Sequence, residues 1–168
     1  MLFRSLLQGR MALFVVSADA AGVTRRGYLT QDGARGAELA LNQSPASLLT
    51  EQGLPALEHA VDVGLAALCA EAVGVMEKTL AITVEYMNTR KQFGVTLATF
   101  QALRHRVSDM KMQLELARSM SYYASLKLTA PPEERRRAMS RAKVQLGQSM
   151  RHVGQQRSEE HTSELQSH

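Results

Sequence analysis

The sequence predicts an α+β chain, mainly α, in which a short antiparallel β segment is followed by three long helices of an incomplete up-down four-helix bundle. Three observations predict it. Ahead of Gly53, glycines and polar residues punctuate short apolar runs of strand length. Beyond Gly53, apolar residues recur at three- and four-residue steps over stretches far longer than a strand. The links between those stretches are short, and short links make consecutive helices antiparallel neighbours.

In the first part, residues 11–17 (MALFVVS) and 37–41 (AELAL) read as strands, with Asp32-Gly33 among the turn residues between them. Two or three strands alone leave open edges, so the segment reads as the end of a larger sheet. The first helix is predicted over residues 54–89, with Leu54, Leu57, Val61, Leu65, Leu68, Ala72, Met76, Leu80 and Val84 on one face. Arg90 and Lys91 suit its negative end, and Gly94 can release the chain. A second helix starts near Thr99 as N-cap and carries Phe100, Leu103, Val107, Met110, Leu114, Ala117 and Ser121 on one face. Pro131, Pro132, Glu133 and Glu134 mark the start of a third, with Ala138, Ala142, Leu146 and Met150 inward.

The ends read differently from the rest. Residues 157–168 (RSEEHTSELQSH) match an in-frame translation of a short-read sequencing adapter, whose reverse complement begins GTG CTC TTC CGA TCT and reads MLFRS, as residues 1–5 do. Both are expected to be adapter-derived, the tail disordered or at most a frayed continuation of the third helix. The natural insert is then 6–156, a piece of a longer chain. Setting aside Arg4 and Arg157 from 20 basic residues, and Glu159, Glu160 and Glu164 from 16 acidic ones, leaves the insert at +5. Mild spread charge of this size describes a solvated surface and suits an anionic ligand.

One cysteine, Cys69, excludes an internal disulfide and points to a reducing, cytoplasmic setting; in an apolar helix it reads as a core residue. No apolar run is expected to span a bilayer. No metal-ligand cluster or glycine-rich phosphate loop is found, and His59, His105 and His152 stand alone.

The sharper reading comes from residues 86–101, YMNTRKQFGVTLATFQ. This segment resembles the Y-x-x-x-R-x-x-F-G-x-x-(I/L)-x-x-(F/H)-Q signature of the acyl-CoA dehydrogenase family, at the turn between two long helices of its C-terminal bundle. Residues 12–28 resemble the end of the family's middle β-domain, and 141–156 its next helix. Residues 68–74 (LCAEAVG) resemble small subunits of pimeloyl-CoA dehydrogenase-like complexes. The resemblance implies that 6–52 close the middle β-domain and 53–156 begin the helical domain. It implies FAD as cofactor, with Arg90 on the pyrophosphate of a neighbouring subunit and Gln92, Phe93 and Gln101 lining the same cofactor. A guanidinium offers phosphate a rigid fork of donors.

On the substrate side Asp62 matches an aspartate beside the acyl-CoA, but the arginine expected three residues later is Leu65. No catalytic base is assigned: the family position on the first helix is Gly64, and Glu58 and Glu71 stand at the wrong spacing. The parent is thus expected to desaturate an acyl-CoA thioester as a homo- or hetero-tetramer and to pass electrons to an electron-transfer flavoprotein, with the isolated chain inactive and binding no FAD tightly. A second reading is a non-catalytic subunit that completes the FAD site of a catalytic partner. A third, a basic nucleic-acid module on Arg25-Arg26 and Arg135-Arg136-Arg137, ranks last because the clusters sit on unrelated segments. No nucleic acid and no membrane is expected as partner.

Overall fold

A computed structural model describes the backbone of residues 1–165 and the side chains of residues 1–156. It divides into two units, Met1–Glu58 and His59–His168. In the first unit, β1 (Leu2–Leu7) pairs antiparallel with β2 (Arg10–Val15), and β5 (Ser47–Thr50) lies along the other edge of β2, with an irregularity between Leu13 and Phe14. A separate hairpin joins β3 (Val23–Leu29) to β4 (Arg35–Leu41). Ala12 and Leu13 on β2, with Val16 just after it, are buried.

The predicted strands 11–17 and 37–41 are β2 and β4, ending at Val15 and starting at Arg35. The sequence missed β1, β3 and β5. β3 buries none of its residues, so no alternation of apolar and polar side chains marked it. Its turn was legible: Asp32 Oδ1 accepts from Ala34 N at 3.2 Å and from the Thr30 hydroxyl, which hold this exposed carboxyl below its usual range.

Gly22 shows how tightly the second hairpin is closed. Asn42 N donates to Gly22 O at 2.9 Å, Gly22 has φ +76°, and a Cβ there would lie 1.9 Å from Asn42 O. Gly9 shares the positive φ, +78°, but faces open space. Gly22→Ala is therefore expected to lower the urea midpoint clearly, by more than about 1 kcal/mol, and Gly9→Ala by its backbone strain alone. Equal losses in the two variants would show that Asn42 yields to the new methyl.

In the second unit three helices run up, down and up: α1 (Gly53–Thr89, begun in the first unit), α2 (Gln101–Leu126) and α3 (Pro132–Leu165). Their core joins Ala66, Cys69, Val73 and Met76 of α1 to Met110, Leu114 and Ala117 of α2 and Met139, Ala142 and Leu146 of α3. The α2 and α3 backbones approach most closely, because the facing residues are small: Ala117, Ser121 and Ala124 against Ala138, Ala142 and Ser149. Ser149, fully buried, donates to Gln113 Oε1 at 3.0 Å and accepts from Gln145 Nε2 at 3.1 Å. Pro132 opens α3 with Glu133 and Glu134 in its first turn, as expected. The predicted inner face of α2 is the observed one; on α3, Met150 is exposed and Ser149 and Val153 are buried instead.

The predicted face of α1 needs correction. Leu54, Val61, Leu68 and Val84 are exposed, and the buried row is Asp62, Ala66, Cys69, Val73, Met76, Thr83 and Met87. The helix carries apolar residues on two faces, and polar Asp62 and Thr83 sit on the inward one, which hid it. The same double stripe gives α1 a window of 18 residues with mean hydropathy 1.5, so by length and composition it is apolar enough to cross a membrane, contrary to expectation. Cys69 is a core residue, and burial pushes its thiol up. The helix α3 continues through most of the expected tail to Leu165; residues 166–168 lie outside the described residues.

Candidate functional site at the first helix turn

The segment 90–101 forms a compact knuckle between α1 and α2. Arg90 N donates to Tyr86 O at 2.8 Å, the last helical bond of α1. The chain then folds into a minimal hairpin, β6 (Lys91–Gln92) against β7 (Val95–Thr96), with Lys91 opposite Thr96 and Gln92 opposite Val95. Phe93 and Gly94 occupy the two turn positions with φ of 53° and 82°. Positive φ at both is the mark of a type I′ turn, which suits hairpin twist but favours Asn or Gly in the first place, not Phe. Leu97 N returns to Arg90 O at 2.9 Å and closes the base of the hairpin.

A single 3-10 turn, Leu97–Thr99, leads into α2. Thr99 is not the cap predicted for it: its hydroxyl donates to Thr96 O at 2.7 Å, and Phe100 stands at the cap position without a side-chain bond. The Phe93 and Phe100 rings meet edge to face, 6.4 Å between centroids and 87° between planes. Even so Phe93 is 88% exposed. Arg90, Lys91 and Gln101 are exposed too, and Gln92 is half-buried. The four predicted residues thus belong to one knuckle, which turns a cation, an aromatic ring and an amide to solvent.

Asp62 lies elsewhere. It is 4% exposed, not a solvated helix carboxylate, and its Oδ2 accepts from Arg135 Nε at 2.7 Å. Arg135, 8% exposed, also donates from Nη1 to Ala130 O at 3.4 Å. In the sequence Arg135 is one of the run Arg135-Arg136-Arg137, which hides its separate place in the fold. The signal was there: it continues the inward row Arg135, Ala138, Ala142, Leu146 and Ser149 of α3. Position 65 is a leucine, and the guanidinium that pairs with Asp62 comes from α3. The pairing also empties the proposed basic cluster, since Arg135 is buried and Arg137 pairs with Glu133.

A hollow of about 290 Å³ lies between α1 and α2, lined by Val84, Asn88, Ala98, Arg104 and Ser108 among others. Among the described residues, no group of His, Cys, Asp and Glu is placed to hold a metal ion.

A family model described as the C-terminal domain of acyl-CoA dehydrogenase matches residues 51–161. The chain is 43% identical over 67 residues, 40% of its own length and 18% of the relative's, to the short-chain-specific acyl-CoA dehydrogenase of Megasphaera elsdenii. Among solved structures, a Tcur3481-Tcur3483 steroid acyl-CoA dehydrogenase (G363A variant) is similar with a TM-score of 0.79 and 29% identity, covering 95% of this chain and 43% of that one. An FAD-dependent dehydrogenase is similar with a TM-score of 0.73 and 25% identity, covering 88% of this chain and 41% of that one. The chain spans less than half the length of each of these proteins.

Proposed function

Since the chain belongs to the acyl-CoA dehydrogenase family through that family's C-terminal domain, we propose that it is part of an FAD-dependent enzyme that desaturates an acyl-CoA thioester, and that the knuckle from Arg90 to Gln101 is its share of a flavin site. The observation that carries this reading is Phe93. A phenyl ring 88% exposed on a residue with φ of 53° costs the fold on two counts, left-handed backbone and apolar surface in water. The edge contact with Phe100 offsets only part of the second cost, and the ring surface left open is what an external planar partner would cover.

The rest of the knuckle fits a dinucleotide. The exposed Arg90 guanidinium offers a bidentate fork to a diphosphate, Gln92 and Gln101 offer amide hydrogen bonds, and Phe93 offers an apolar face that excludes water. When bound, FAD supplies the ring that takes a hydride from the β-carbon of the thioester. On the substrate side we place Asp62, acting through Arg135 rather than by direct contact. The base that removes the α-proton lies outside this chain in our reading, so the chain alone is inactive and retains no flavin. The parent works as a homo- or hetero-tetramer whose subunits share the flavin, with an electron-transfer flavoprotein as acceptor. One observation favours a non-catalytic role beside a catalytic partner: position 64, which carries the base in some family members, is a glycine.

Phe93→Asn in the full-length parent separates fold from function. Asn-Gly is the preferred pair for this turn, so the flavin-free melting midpoint is expected to hold or rise. Flavin affinity is expected to fall by about 1 to 3 kcal/mol, the range for one aromatic stacking contact on a nucleotide. An Asn variant that keeps its full flavin through desalting would sink the reading.

A further inference from the structure

Asp32 and Gly33 sit exposed at the tip of the second hairpin, between β3 and β4. Of the aspartates Asp19, Asp32, Asp62 and Asp109, Asp32 is the one that a glycine follows. That order matters chemically. A backbone nitrogen can attack the side-chain carboxyl of the residue before it and close a five-membered imide, and a glycine has no side chain to block the approach. Gly33 has φ +81° and open space where a Cβ would stand.

Both reacting groups are nonetheless held. The Gly33 amide, the attacking nitrogen, donates to Thr30 O at 3.0 Å, and Thr30 N donates to Ala34 O at 2.9 Å. Asp32 Oδ1 accepts from the Thr30 hydroxyl and from Ala34 N at 3.2 Å. The same hydroxyl lies 2.9 Å from Ala34 O, but its single proton serves the charged acceptor, the stronger of the two. Thr30 thus restrains the nucleophile with its carbonyl and the electrophile with its hydroxyl. The hydroxyl first, and the Ala34 amide second, hold the carboxyl below its usual range and so keep it ionised. A carboxylate resists the attack, because its oxygen leaves as water only from the neutral acid.

We propose that Asp32-Gly33 is a site of isoaspartate formation and that the Thr30 hydroxyl sets its rate. The bond from Gly33 N to Asp32 Cγ forms as a Cγ–O bond breaks, and the amide proton leaves with that hydroxyl as one water. Water then adds back to the imide. Opening at the main-chain carbonyl leaves the backbone running through Cγ, one carbon longer at the hairpin tip, with no oxidant or further reactant consumed. β3 buries none of its residues, so this change loosens the hairpin.

The test incubates the 168-residue chain near neutral pH and counts isoaspartate at position 32 by peptide mapping. Thr30→Val keeps the branched shape without the hydroxyl, and is expected to convert about three- to tenfold faster than the parent, the factor for one hydrogen bond of ordinary strength. Its Gly33 amide is expected to stay protected from hydrogen exchange. Thr30→Ser keeps the hydroxyl and is expected to stay near the parent. In concentrated urea all three chains are expected to convert at one common rate. Equal native rates for the parent and Thr30→Val overturn the proposal, and so does Thr30→Ser matching Thr30→Val. So does loss of Gly33 protection in Thr30→Val, which would place the effect in opening of the turn, or an absence of isoaspartate at position 32 in every arm.

Discussion

Replacing Arg90 by alanine in the full-length parent is expected to weaken FAD retention by about 2 to 4 kcal/mol, the range for truncating one partner of a desolvated charged contact. That is a thirty-fold to nearly thousand-fold change in affinity. Arg90 N donates the last helical bond of α1 and its carbonyl closes the knuckle hairpin, but both bonds use backbone atoms that alanine retains. Its side chain is exposed, so the flavin-free melting midpoint is expected to move little. Lysine is expected to recover part of the affinity, because a point charge cannot reproduce the fork. Flavin content and melting curves of the two variants beside the parent decide the matter. Full flavin occupancy with a lowered flavin-free midpoint would make Arg90 a helix cap and end its assignment to the cofactor.

The second large effect is expected at the buried pair of Asp62 and Arg135. Asp62→Asn keeps the shape but leaves the Arg135 guanidinium buried against a neutral amide. Removing one member of a buried pair typically costs 3 to 5 kcal/mol, because the survivor keeps its desolvation penalty. For a chain of this size that lowers the melting midpoint by roughly 6 to 20 °C. Replacing both, Asp62→Leu with Arg135→Met, is expected to regain most of the loss, since apolar side chains of similar bulk often substitute for such pairs at no cost. Urea denaturation of the single and double variants reads the effect directly. A single variant within about 0.5 kcal/mol of the parent would mean that water reaches the pair and that it acts as a surface bridge.

What the sequence made legible follows from where its signals are local. The inner face of α2 was readable because Met110, Leu114, Ala117 and Ser121 hold one spacing on a helix with a polar opposite side. On α1 the rule failed for a physical reason: Val61, Leu68 and Val75 advertise a face as apolar as the buried one, and Asp62 lowers the contrast where contrast was needed. β3 gave no signal because neither of its faces is buried. At the candidate site, Arg90, Gln92, Phe93 and Gln101 could be named because they lie on one contiguous signature. The hairpin that presents them could not, since Phe is the wrong residue for the first place of its turn. Arg135 is the opposite case, a residue whose role exists only across a separation of 73 positions.

The small residues between α2 and α3 also bear on the order of events as the chain folds. A short link and a close-packed face of alanines and serines make this helical hairpin a local structure, with little loop entropy to overcome before its contacts form. Asp62 and Arg135 stand 73 positions apart, so their pairing closes a much longer loop and is expected to follow that hairpin. A late contact of this kind acts chiefly on the rate at which the domain opens rather than on the rate at which it forms. On that order, losing the pair is expected to speed unfolding more than it slows folding, and enlarging the alanines between α2 and α3 to slow folding.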